Sequence, residues 1–230
     1  MKTIGLIGGM SWESTIEYYR IINQEVQRRL GGLHSAQLLL YSVDFAEIEA
    51  LQTSGRWDKA EQAMINAGMR LARGGADFLL ICTHTMHRMA DLVERETGLP
   101  LLHIVDPTAE KIKSAGISRV GLLATRYTME QAFYKQRLAR RFGLEVLIPE
   151  DDDRALVHQV IFDELCCGEV KDASRAAYRR IMAQLVAEGA EAIILGCTEI
   201  MLLVRPEDCA VPLFDTTTLH ANAAVEMALA

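Results

Sequence analysis

No stretch of this chain approaches the roughly 18 consecutive apolar residues that a membrane-spanning helix needs, and no membrane partner is expected. The opening, MKTIGLIGGMSWES, lacks the apolar core and cleavage site of a signal peptide, so a cytoplasmic location is the expectation. Positive charge is also in short supply. The 24 Lys and Arg against 31 Asp and Glu leave a formal net charge of −7, whereas a nucleic-acid partner calls for clustered basic residues. Five cysteines, Cys82, Cys166, Cys167, Cys197 and Cys209, form no C-x-x-C pair. Their odd number disfavours a disulfide framework and a structural zinc alike, so reduced thiols are expected, one of them a candidate for chemistry. The segment Gly5-Leu6-Ile7-Gly8-Gly9 lacks the G-x-G-x-x-G spacing of a dinucleotide site. No residue pattern demands a Schiff-base lysine, so no pyridoxal cofactor is expected.

What the chain does contain is an internal repeat. The stretch Gly75–His87, GADFLLICTHTMH, is echoed by Gly189–Ile200, GAEAIILGCTEI. Each reads small, acidic, small, then a short apolar run, then a polar turn. Laying Gly75 on Gly189 sets Asp77 on Glu191, Leu80 on Ile194 and Thr83 on Cys197. Short Leu- and Ile-rich runs bounded by glycine are the signature of buried parallel strands. In open α/β sheets the ligand binds just beyond the carboxyl ends of such strands. Two halves that each bring a hydroxyl or thiol to that place suit a small molecule held between them.

The rest of the chain fits a duplicated unit. Thr3–Gly8 reads as a first strand and Gly8-Gly9-Met10 as a tight turn, with Ser11 capping a helix whose apolar positions are Ile16, Tyr19, Ile22, Val26 and Leu30. A strand over Gln37–Val43 ends at Asp44, which suits either a ligand contact or a turn cap. A polar helix around Ile48–Gln52 and an amphipathic one over Lys59–Arg73, carrying Met64, Ala67, Met69 and Leu71, lead to the central strand. Leu101–Pro107, LLHIVDP, looks like a strand at the boundary. Ser118–Thr125 then resembles the opening strand, with Gly121 on Gly5 at nearly the offset of the first repeat. Leu144–Ile148 reads as a strand, Glu150–Asp153 as an acidic loop, and Arg154–Glu188 as a long helical region. The tail offers PLFDTTTLH and an Ala-rich helix. The expected fold is α/β, two pseudo-symmetric Rossmann-like α/β/α domains with mainly parallel four-stranded sheets and the active site in the cleft between them. The first half is 1–105 with the C-terminal helix 215–230, the second 106–214.

Cys197, in Gly196-Cys197-Thr198-Glu199, ends a strand and precedes a helix, where backbone N–H groups favour a thiolate. The glycine allows close approach, and the Thr198 hydroxyl suits a cap or a bound carboxylate. Thiols ionise near about 8.5, so a modest downward shift makes a usable base at neutral pH. Cys82 is one residue out of phase with Cys197, so it is expected to face the core.

The four segments GLIGGMSWEST, ICTHTMH, LLATRYTMEQAFY and GCTEI, in that order across essentially the whole chain, resemble the aspartate/glutamate racemase family of cofactor-independent racemases. That resemblance implies a homodimer, an amino-acid substrate, neither pyridoxal phosphate nor metal, and two cysteines, one per half, on opposite faces of the substrate α-carbon. This chain departs from the pattern at the first of them, with Thr83 in that place and His84 where the family has Asn. Cys197 is therefore the expected base, acting on one enantiomer and, by the family's arrangement, the L form. Thr83 stands at the opposite face, which implies a slow or L-biased enzyme. His84 is either a second acid or a turn residue bonded to backbone. The family pattern further places Met10, Ser11, Thr85 and Thr198 around the α-carboxylate. Gln52, Arg126 and Tyr127 are candidates for a side-chain carboxylate, and Thr125 and Glu199 complete the binding set. His87 and His103 carry no assignable role beyond structure. Loss of the first thiol also opens two other readings, a one-cysteine decarboxylase of malonate-type substrates and a small-ligand binding protein that has lost its chemistry.

Overall fold

The computed structural model describes residues 1–230. The chain folds as two compact units, Met1–Ile104 with His220–Ala230, and Val105–Leu219. In the first unit, β1 (Ile4–Gly8) leads to α1 (Trp12–Leu30), β2 (Leu38–Ser42), α2 (Phe45–Thr53), α3 (Trp57–Arg73) and β3 (Phe78–Ile81). A 3-10 turn, Thr85–Met89, and α4 (Ala90–Thr97) follow. The second unit runs α5 (Val105–Ser114), β4 (Arg119–Leu123), α6 (Arg126–Glu130), α7 (Ala132–Phe142), β5 (Glu145–Leu147) and α8 (Asp151–Asp163). It continues through α9 (Asp172–Ala187), β6 (Ala192–Leu195), α10 (Ile200–Leu203) and β7 (Leu213–Asp215). The closing helix α11 (Thr216–Leu229) begins in the second unit and ends in the first.

Both sheets are parallel, in the orders β2-β1-β3 and β5-β4-β6-β7. The repeat seen in the sequence is thus a repeat of topology, with β1, β2 and β3 corresponding to β4, β5 and β6. The acidic residue of each repeat has the same task. Asp77 Oδ2 accepts from the Thr3 amide at 2.6 Å, and Glu191 Oε2 accepts from the Ser118 and Arg119 amides, both at 2.8 Å. Each carboxylate satisfies the backbone donors at the entry of the neighbouring strand, so its recurrence reflects strand pairing.

The expectation of two four-stranded sheets holds only for the second unit. In the first, LLHIVDP contributes one parallel bridge, Leu79 to Leu101, and α5 begins at Val105. The cause lies in where the next ladder groups bond. The Ile104 amide donates to His87 Nε2 at 3.2 Å, and the Leu102 carbonyl accepts from His220 Nε2 at 2.8 Å. Two histidines take the place of a strand, and the backbone leaves the sheet.

Three local expectations also change. The acidic stretch Glu150–Asp153 is the cap and first turn of α8, where carboxylates complement the helix dipole. The region Arg154–Glu188 is broken by a 3-10 turn at Leu165–Cys167, with Gly168 in the left-handed region at φ +75°. Most consequentially, α1 buries Ser14, Thr15, Tyr18, Ile21, Ile22 and Val26, while Ile16, Tyr19 and Leu30 face outward. Polar bonds decide that rotation. Thr15 Oγ1 accepts from the Gly9 amide at 2.9 Å and donates to the Ser11 carbonyl at 2.7 Å, and the Tyr18 hydroxyl bonds to His220 Nδ1 at 2.9 Å. Buried polar groups left unpaired cost more than an exposed Ile gains by burial, so hydroxyls set the register of the helix.

Candidate active site

In the first unit the carboxyl ends of β1 and β3 lie side by side, joined by the Cys82 amide donating to the Ile7 carbonyl at 2.9 Å. Two glycines make the turn after β1. A Cβ on Gly8 would sit 2.5 Å from Thr15 Cγ2, and Gly9, at φ +89°, would meet the Val43 carbonyl at 2.4 Å; neither position admits a side chain. The turn delivers Met10 and Ser11, both buried, with a cis peptide between them. Ser11 occupies the N-cap of α1, but its side chain makes no capping bond there. Its carbonyl instead accepts from the Thr15 amide at 3.3 Å and from the Thr15 hydroxyl.

After β3, Cys82 is fully buried, and desolvation pushes its thiol far above the ordinary range. Thr83 is half-buried and Thr85 buried. A residue with no expected role fixes this turn. The Ile104 amide occupies His87 Nε2, so the ring's proton is on Nδ1, which donates to the Thr83 carbonyl at 2.7 Å. His103 stacks on His87 with ring centroids 4.6 Å apart, and His220 lies 5.8 Å away. Burial and these neighbours hold His87 well below its ordinary value. Buried His84 is held down to about 3 by desolvation and by His220, so at neutral pH it carries no acidic imidazolium proton to deliver. Gln52 is buried, and its Nε2 donates to Met86 Sδ at 3.3 Å. Asp44 caps α2, accepting from the Ala46 amide at 3.1 Å.

In the second unit, β6 ends at Leu195, and at Gly196, the next residue, an added Cβ would meet Leu122 Cδ1 at 2.5 Å. Cys197 follows, buried, and its Sγ donates to Glu199 Oε2 at 2.9 Å. The Thr198 hydroxyl donates to the same oxygen at 2.9 Å. The thiolate expected at a helix N-terminus is not what the site provides, because α10 is four residues long. Burial first, and then the Glu199 carboxylate, push the Cys197 thiol well above its ordinary value. Glu199, expected among the substrate-binding residues, is bonded to the Cys197 thiol itself. Nearby, Thr217 Oγ1 donates to the Thr198 carbonyl at 3.4 Å, and Thr216 Oγ1 to the Leu195 carbonyl at 2.7 Å.

At the end of β4, Thr125 is the N-cap of α6 and its side chain accepts from the Thr128 amide. A cavity of about 260 Å³ is lined by Arg126, Tyr127, Glu130 and His158. His158 Nδ1 accepts from the Arg126 amide at 3.3 Å, and its ring meets Tyr127 edge-on at 5.7 Å. The Arg126 side chain is paired with Glu130 at 3.1 Å. Sequence reading gave His87 only a structural role, which its bonds to the Thr83 carbonyl and Ile104 amide fit, and it did not single out His158. The four-residue step from Thr83 to His87 in ICTHTMH was a usable signal for the first; none pointed to the second.

The second unit therefore carries a thiol–carboxylate pair just beyond the end of β6, and the first carries a hydroxyl, that of Thr83, just beyond the equivalent end of β3. The family model described as Asp/Glu/Hydantoin racemase matches residues 7–224. A Yersinia pestis structure described as a candidate Asp/Glu racemase is 56% identical over 100% of both chains, with a TM-score of 0.92. An aspartate racemase homologue from Pyrococcus horikoshii is 35% identical over 100% of both chains, with a TM-score of 0.83. The broad specificity amino-acid racemase of Bacillus subtilis is 23% identical, covering 99% of this chain and 98% of its own. With its duplicated strand ends and a family match across nearly its full length, this chain belongs to the Asp/Glu/Hydantoin racemase family.

Proposed function

We propose that the protein is an amino-acid racemase that inverts the α-carbon of aspartate, glutamate or a related amino acid without a cofactor, and favours the L enantiomer as substrate. The observation that carries this reading is the hydrogen bond from Cys197 Sγ to Glu199 Oε2. A buried thiol with a raised pKa is inert alone, but an adjoining carboxylate accepts its proton and frees the thiolate. The thiolate then takes the α-proton, and the resulting carbanion is protonated on its other face from Thr83, directly or through water. Proton exchange with solvent returns Cys197, Glu199 and Thr83 to their starting states. Met10, Ser11, Thr85 and Thr198 hold the α-carboxylate, and Gln52, Thr125 and Tyr127 serve the rest of the substrate. His84 is a buried neutral group behind the Thr83 turn in this scheme and not the second acid.

The asymmetry has a kinetic consequence. A threonine hydroxyl is a far weaker acid than a thiol and holds no useful anion unaided at neutral pH. Abstraction from the Thr83 side is therefore the harder direction, and turnover is slow and biased. The test is proton NMR in D₂O, following loss of the α-proton from both enantiomers of aspartate, glutamate and a panel of neutral amino acids. Chiral chromatography on the same samples separates exchange from inversion, with Cys197→Ala as control. Exchange with inversion that vanishes in the variant supports the racemase. If no amino acid exchanges, the reading fails. A hydroxyl at position 83 makes decarboxylation of a substituted malonate, which needs a single protonation, the next substrate class to assay.

A further inference from the structure

We propose that Tyr18 and His220 are positioning residues for the step assigned to Thr83, acting through His87 on the backbone of the Thr83 turn. This role rests on the racemase reading above, in which Thr83 serves the second face of the substrate. The connection is a run of hydrogen bonds whose direction is forced, because a carbonyl only accepts and an amide only donates. The Leu102 carbonyl takes its 2.8 Å bond from a proton on His220 Nε2, which leaves His220 Nδ1 to accept from the Tyr18 hydroxyl at 2.9 Å. Two residues on, the Ile104 amide donates to His87 Nε2 at 3.2 Å, and the proton on His87 Nδ1 goes to the Thr83 carbonyl at 2.7 Å. The two rings therefore hold opposite tautomers. They are joined by the Leu102–Ile104 backbone and meet edge-on with centroids 5.8 Å apart. Tyr18, His220 and His87 are all buried, so breaking any one of these bonds leaves a dry polar group behind.

The second unit shows the same place in the fold built without histidines. Leu101 bridges to Leu79 as Leu213 pairs with Ile193, and the Leu79 and Ile193 amides donate to the Pro100 and Pro212 carbonyls at 2.8 and 3.0 Å. From there β7 runs on beside β6 as far as Asp215. In the first unit the Leu102 carbonyl and the Ile104 amide turn to His220 and His87 instead. A fourth strand would satisfy that backbone without burying three polar side chains, so sheet formation alone does not call for them. What they add is a fixed hold on the Thr83 carbonyl. β3 ends at Ile81 and the 3-10 turn begins at Thr85, so Thr83 lies in neither element, and its carbonyl is held by His87.

Proton delivery depends steeply on placement, and a displacement of about 1 Å costs on the order of 100-fold in rate. Loosening the turn therefore slows the Thr83 step. It leaves abstraction by Cys197 unchanged, because Cys197 and Glu199 belong to the other unit. With an L substrate in D₂O, the Cys197 thiol exchanges its proton for a deuteron, and a carbanion not protonated from the Thr83 side takes that deuteron back on its original face. The product is exchange without inversion.

The test compares the wild type with Tyr18→Phe, His220→Leu and His220→Gln, starting from the L-amino acid that the wild type exchanges fastest. Initial rates of α-proton loss are read by NMR and those of D-enantiomer formation by chiral chromatography. Tyr18→Phe and His220→Leu should lower the ratio of inversion to exchange by about tenfold or more, while α-proton loss stays near the wild-type rate. His220→Gln, whose amide can donate to the Leu102 carbonyl and accept from Tyr18, should recover most of the ratio. A merely structural role would weaken urea stability and slow both rates alike, leaving the ratio unmoved. Far-UV circular dichroism checks the fold, and Tyr18→Phe, which removes a single oxygen atom, carries the test if His220→Leu does not fold. An unmoved ratio in Tyr18→Phe, or a His220→Gln protein no better than His220→Leu, would overturn the positioning role and leave the racemase reading standing. No exchange from any amino acid in the wild type would overturn both.

Discussion

Acidification should unfold the first unit, and the size of the effect follows from His84. This ring is buried, and loss of water together with His220 lowers its titration from the ordinary 6.5 to about 3. The folded pKa lies below the unfolded one, so between those values the unfolded chain binds a proton that the folded chain refuses. Stability is therefore complete above the unfolded value and falls as pH drops toward the folded value. One pKa unit is worth about 1.4 kcal/mol, so going from about pH 6.5 to about pH 5 costs about 2 kcal/mol through His84 alone. His87 acts in the same direction, with burial, His103 and His220 lowering its value. Both tryptophans, Trp12 and Trp57, lie in the unit that contains these histidines, so urea unfolding followed by tryptophan fluorescence reports on it directly. His84→Leu removes the titration while keeping an apolar-compatible volume. The wild type should lose about 2 kcal/mol more than this variant over that interval. Equal losses in the two proteins would refute the assignment of the acid sensitivity to His84.

Four other outcomes follow. Glu199→Gln removes the carboxylate that accepts the Cys197 proton and should lower turnover by roughly 100-fold or more. Because that carboxylate also raises the thiol pKa, the midpoint of iodoacetamide alkylation at Cys197 should move to lower pH in the same variant, and an unmoved midpoint would contradict the pairing. Thr83→Cys restores a thiol on the second face and should raise activity and relax the enantiomer bias, measured as initial rates from each enantiomer; no gain counts against the asymmetric mechanism. Gly196→Ala drives a methyl against Leu122 and Ala124 and should cost about 1–3 kcal/mol in urea unfolding, the usual penalty for overpacking. His87→Ala frees the Thr83 carbonyl. In an active enzyme it should lower the rate constant of turnover more than it raises KM, and a change confined to thermal stability would reduce His87 to a structural residue.

The duplicated α/β plan, the strand ends that carry Thr83 and Cys197, and the glycines that let backbone pass there were all readable in the sequence. Each depends on local pattern: a short Leu- and Ile-rich run bounded by glycine has the length and composition of a buried strand, and the residue that follows it stands at the sheet's carboxyl edge. Polar contacts between distant residues decided the rest. No local signal tells that Thr15 bonds to the turn at Gly9 and Ser11, yet this bond turns Ile16 and Tyr19 outward. No local signal tells that His87 and His220 claim the backbone groups of Ile104 and Leu102, so LLHIVDP looked like a strand. The protonation of Cys197 was reversed for the same reason. Its position in the chain suggested a helix N-terminus that would lower the pKa, whereas burial and the Glu199 carboxylate raise it. Apolar periodicity is written in neighbouring residues, but desolvation and hydrogen-bond partners exist only once the chain has folded, and these set the chemistry of the site.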